Sequence, residues 1–263
     1  MSVSSTPVCF MHINKAGGTS FSTLAQKAFP PEEVCPAGLV HELLAMPRAD
    51  IDRFRYFRGH FGTGIIGLLD RQPRLFTLLR DPVDRMISQF NAHRSNTGTD
   101  LHARIKACGD DIGRCMDDPW LRSALGDYQT RFLGCPVDLH RFMKDPSLPR
   151  PGIQKILADM APSLDMQAVL AQALDRLQSM ETFGILERFE ESAARLAGML
   201  GLRLEGPLPR LNVSGENALY GSDRRLGRGD ISARALDRIR AANQYDLRLY
   251  EQAVALFEAP SGR

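Results

Sequence analysis

Short apolar runs that alternate with helical periodicity, glycine or proline at the strand-to-helix turns, and the lack of any internal repeat predict an α/β fold. In it, a central parallel sheet is flanked by helices on both faces. The 263 residues, with 43% hydrophobic and 24% charged, suit one domain spanning 1–263 with a sizeable core. "PVCFMHI" reads as the first buried strand, bounded by Pro7 and a glycine turn. "SFSTLAQKAF" then sets Phe21, Leu24, Ala25 and Ala28 at helical spacing until Pro30 and Pro31 stop it. "RYFRGHFG" and "RLFTLL" are two further strands. After the second, Asp81 is placed to cap a helix, Pro82 suits its first position, and Val83, Ile87 and Phe90 form a buried stripe, with Arg85 and Ser88 sharing a different face. A late cycle follows: helix "DMQAVLAQALDRLQ", strand "TFGIL", and helix "ERFEESAARLAGMLG" ended by Gly201. One long amphipathic helix over 231–258 closes the chain. Between 95 and 163, prolines at 119, 136, 146, 149 and 151 interrupt the pattern, which marks an insertion suited to an acceptor site or lid.

The 33 basic and 31 acidic residues nearly cancel, leaving +2, so no global field favours nucleic acid or an anionic membrane and an anion has to be held by local geometry. No apolar run is long enough for a transmembrane segment and no signal peptide is read at the start, so a cytoplasmic location is expected. Cys9, Cys35, Cys108, Cys115 and Cys135 are odd in number and lack a CxxC spacing, which argues for free thiols and against zinc.

"VCFMHINKAGGTSFSTLAQKAF" places a lysine, two glycines and two hydroxyls between strand and helix, in an order unlike the Walker loop, whose lysine follows the last glycine. The turn is therefore P-loop-like without being a P-loop. Gly17 and Gly18 allow successive amides to converge, the helix start adds its positive end, Lys15 adds charge, and Thr19 and Ser20 add hydroxyl donors. A glycine turn beside a surface lysine is the plain alternative. Arg80 leaves a buried strand at the same predicted sheet edge, with Ser88 two turns onward, so a ligand with an anion at each end is implied.

"FMHINKAGGTS" with "TLLRDPVDRMISQF" resembles the paired nucleotide signatures of sulfotransferases that use 3′-phosphoadenosine-5′-phosphosulfate (PAPS), in the branch of heparan sulfate 2-O-sulfotransferase and short bacterial relatives. "YQTRFLG", "FGILERFEES" and "NQYDLRLYEQA" are similar to segments of the bacterial members. The resemblance implies that Lys15, Ala16, Gly17, Gly18, Thr19 and Ser20 hold the 5′-phosphosulfate, and that Arg80 and Ser88 hold the 3′-phosphate. "LPRLNVSGEN" resembles the family's late loop, so Asn212, Val213 and Ser214 are expected at the nucleotide, although the family's basic residue is replaced there by Asn212. His60, in the GH segment, is implied as the base that takes the acceptor's proton, and Lys15 as the charge that stabilises the leaving bisphosphate. The acceptor is expected to be a hydroxyl of a carbohydrate or glycoconjugate, and the chemistry requires no metal. Arg58 and Arg131 are candidates for an anionic acceptor or for structural pairing, Trp120 and Phe132 for an acceptor pocket or core, and His12 for packing. An ATP-dependent small-metabolite kinase using Asp81 for magnesium, and a catalytically silent nucleotide-binding module, are the competing readings.

Overall fold

The computed structural model describes residues 6–145, 147–204 and 225–259. Asn212, Val213 and Ser214 lie outside them. Four strands, β1 (Val8–Met11), β2 (Tyr56–Gly59), β3 (Arg74–Leu79) and β4 (Gly184–Ile185), form one parallel sheet in the order β2-β1-β3-β4. β1 is paired on both sides, Val8 with Tyr56 and with Arg74. Its alternate residues therefore face opposite layers. Val8 and Phe10 join Phe21, Leu24 and Leu196 in one core cluster, whereas Cys9 and Met11 join Phe132, Leu170 and Leu249 in another. A strand buried on both faces explains why "VCFM" is apolar without alternation.

The chain leaves β1 through helix α1 (Gly18–Gln26) toward β2 on one side, then crosses to β3 on the other. The switch point thus falls between β1 and β3, where parallel sheets open a crevice beyond their carboxyl ends. The turns carrying Lys15 and Arg80 flank it.

Helix Pro82–Ser95 starts as its sequence predicts: Asp81 accepts the Asp84 N–H at 3.0 Å, and Pro82 occupies the first turn. Val83, Ile87 and Phe90 are buried. Arg85, however, does not share a face with Ser88. It is fully buried, donates to the Leu125 carbonyl at 2.6 Å and stacks on Tyr128, while Ser88 faces a cleft. Helix Phe189–Leu200 ends at Gly201 in the left-handed conformation, φ 67°.

The long C-terminal helix is in fact two, Ala233–Ala242 and Gln244–Glu258. Asn243 breaks it by donating Nδ2 to the Ile239 carbonyl, and Asp127, over a hundred residues away in sequence, accepts the first N–H groups of the second helix from Tyr245 and Asp246. Both halves keep an apolar face, so periodicity alone cannot reveal the break.

Between 95 and 163 the described residues form six short α-helices and one 3-10 turn. One of the helices, Tyr128–Gly134, is buried along its whole length and belongs to the core. Arg131 and Phe132 lie within it. Arg131 gives its donors to the carbonyls of Leu157, Asp127, Ser123 and Gly126, which removes it as an acceptor contact and makes it a structural brace. Phe132 is core. Trp120 lies partly buried under the Arg104 guanidinium. Among the described residues no helix is long and apolar enough to cross a membrane, and all five cysteines carry free thiols.

Candidate functional site

The β1 turn is shaped by two close approaches. A Cβ on Gly17 would lie 2.4 Å from a Leu186 methyl, and one on Gly18 would lie 2.1 Å from the His12 ring, so neither position tolerates a side chain without a shift. Gly17 adopts φ 78° and Lys15 itself takes the left-handed conformation at φ 66°. α1 begins at Gly18 with no side-chain cap and no acidic residue in its first turn. Its first turn thus sets no carboxylate of its own against the positive helix end. Thr19 is exposed there, and Ala16 and Ser20 are buried.

The β3 turn meets it directly. Arg80 Nη1 donates to the Lys15 carbonyl at 3.0 Å, and Lys15, Arg80 and Ser88 line a single cleft of about 190 Å³. The three residues expected to hold anions at two ends of a ligand are therefore brought together. Ala16, Gly17, Gly18, Thr19 and Ser20 form the adjoining turn and helix start without lining the cleft itself.

Two cations in this cleft carry no local sequence signal. Arg225 and Arg228 follow the late loop and arrive because Asn91, on helix Pro82–Ser95, clasps the backbone of Leu226: Nδ2 donates to its carbonyl at 2.8 Å, and Oδ1 accepts its N–H at 3.0 Å. Arg228 then pairs with Asp81 and Asp84. Burial, followed by the like charges of Arg225 and Arg80, holds the Lys15 ammonium below its ordinary value. Burial likewise lowers Arg80, although Asp84 and Glu187 oppose it. The excess of positive charge in a partly buried crevice suits an anion.

His60 ends β2 beside this turn. Its Nδ1 lies 2.6 Å from the His12 carbonyl, and a carbonyl can only accept, so Nδ1 carries a proton and, in the neutral ring, the lone pair is on Nε2. The His12 and His60 rings are 4.3 Å apart, and His12 stacks on Phe10. Burial, and further the charge of Lys15, keeps His60 below the ordinary histidine range despite the opposing hydrogen bond to His12. Its surroundings thus favour the neutral imidazole with one basic nitrogen, the form a general base needs. Arg58, two residues earlier, is exposed.

Fold and site together define a parallel α/β protein with a cationic cleft at its topological switch point. No protein-family model matches the chain, and no curated protein matches it in sequence.

Proposed function

We propose that the protein is a sulfotransferase that moves a sulfuryl group from PAPS to a hydroxyl of a saccharide or glycoconjugate. The observation that carries this reading is the convergence of Lys15, Arg80 and Ser88 on one cleft, with His60 at the neighbouring strand end held by its Nδ1 to the His12 carbonyl. The residues fit the donor. Lys15, the Gly17–Ser20 turn and the start of α1 would hold its 5′-phosphosulfate, and Arg80 with Ser88 its 3′-phosphate. Bound PAPS supplies an activated sulfuryl group. His60 Nε2 accepts the acceptor hydroxyl's proton, and Lys15 stabilises charge on the departing bisphosphate. A reducing, cytoplasmic setting belongs to the same reading and is in keeping with five free thiols.

A kinase would turn Asp81 toward magnesium, but its Oδ1 already caps the Asp84 N–H and pairs with Arg228. Calorimetry with 3′,5′-bisphosphoadenosine, ADP and AMP tests the donor. Clear preference for the bisphosphate is expected, and ADP binding equally well would overturn the reading. Transfer abolished by chelation with ATP as donor would establish the kinase instead, and bisphosphate binding without turnover over a broad acceptor panel would establish a silent module.

A further inference from the structure

"YQTRFLG" is the segment whose role the cleft alone leaves unexplained. Its helix, Tyr128–Gly134, touches both turns of the switch point through consecutive residues. Asn14, in the β1 turn, donates Nδ2 to the Tyr128 hydroxyl at 3.2 Å. Gln129, fully buried, holds the β3 turn: its Oε1 accepts the Arg80 N–H at 3.0 Å and its Nε2 donates to the Arg80 carbonyl at 2.9 Å. Arg80 stands just past the end of β3, where the ladder to β4 stops at Leu79. One side-chain amide thus satisfies both backbone groups of the residue whose guanidinium reaches Lys15, and fixes the direction in which that side chain departs.

The helix is itself pinned by a reciprocal cap. Asp246 accepts the N–H groups of Gln129 and Thr130 at 3.1 and 2.7 Å, while Asp127 accepts those of Tyr245 and Asp246 at 2.8 and 2.9 Å. Each helix start holds the other, so Tyr128 and Gln129 have little freedom to move independently.

We infer that Tyr128 and Gln129 are positioning residues that set the spacing between the Lys15 turn and the Arg80 turn, and thereby the separation of the two anionic groups the cleft accepts. The identity of that ligand rests on the PAPS reading; the bracing does not.

Gln129→Met keeps the length and apolar volume and removes both hydrogen bonds. Tyr128→Phe removes one oxygen. Leu133→Ala, on the same helix and in the core, is the control for general destabilisation. Affinities for 3′,5′-bisphosphoadenosine and AMP are measured by calorimetry, with amide exchange at Arg80 and Asp81 alongside. Gln129→Met is expected to weaken the bisphosphate by roughly 10- to 100-fold and AMP far less, so their ratio falls, and to speed exchange at Arg80. Tyr128→Phe should lower the ratio by about 3-fold. Leu133→Ala should leave the ratio unchanged. An unchanged ratio in Gln129→Met, or an equal fall in Leu133→Ala, overturns the inference. If Gln129→Met does not fold, the ratio in Tyr128→Phe decides. If the wild type binds neither nucleotide, the PAPS reading fails, and exchange at Arg80 in Gln129→Met against Leu133→Ala decides the bracing alone.

Discussion

Two hollows in this molecule have opposite character. The cleft between the β1 and β3 turns measures about 190 Å³, and its lining carries Lys15, Arg80, Arg225 and Arg228 with Asp84, while Asp81 beside it also pairs with Arg228. The hollow beside helices His140–Lys144 and Ile153–Met160 is larger, about 570 Å³, but its charges balance, Arg141 and Lys155 against Asp138 and Asp159. There Lys155 pairs with Asp159, and Arg141 stacks on Phe142. Size would pick the second; chemistry picks the first. An evenly balanced lining favours neither sign of ligand, whereas an excess of positive charge in a crevice attracts a ligand of opposite sign.

The largest effect expected from this contrast concerns turnover. His60→Ala should reduce sulfuryl transfer by about 10²- to 10⁴-fold with bisphosphate affinity little changed, and an undiminished rate would remove His60 as the base. Next comes binding: Arg80→Ala deletes a guanidinium that also ties down the Lys15 carbonyl, and should weaken bisphosphate binding on the order of 100-fold by calorimetry. Retained affinity there would erase the distinction between the two hollows.

A pH series gives an intermediate effect. Because burial lowers His60 from 6.5, turnover should hold level through neutrality and decline only below that value. Stability should follow the same sign. His12 and His60 are lowered, and burial brings His93 down to about 4, so the unfolded chain binds these protons more tightly than the folded protein. Their contribution is full above about 6.5 and is lost as pH falls toward 4, which urea titrations from pH 7.5 to 4 can read. Rising stability on acidification through that window would contradict neutral burial of these rings. The smallest effect belongs to the balanced hollow: Arg141→Ala and Lys155→Ala should change bisphosphate affinity by less than about 2-fold, since exposed pairs contribute little. A loss matching that of Arg80→Ala would show that the second hollow takes part in anion binding.

Much of the scaffold was readable along the chain because its signals are local. An apolar run bounded by proline and glycine marks β1, Asp81 and Pro82 mark a helix start, and Gly201 marks a helix end. The meeting of Lys15 and Arg80 was also readable, because strand-to-helix turns of a parallel sheet fall on one edge. Other features carried no local mark. Arg225 and Arg228 reach the cleft through an amide on Asn91, and Arg131 disappears among carbonyls that no spacing rule connects to it. The break at Asn243 depends on a carboxylate from a distant segment.

The sequence by itself determined the layered parallel fold, the two turns that bear Lys15 and Arg80, and the residue types suited to an anion, since periodicity, capping and backbone freedom act over a few residues. Only the tertiary structure decided which arginines face the cleft and which brace the core, and which tautomer His60 adopts. Those outcomes depend on hydrogen-bond partners that packing brings from far along the chain, and a buried donor takes whichever acceptor lies within its reach.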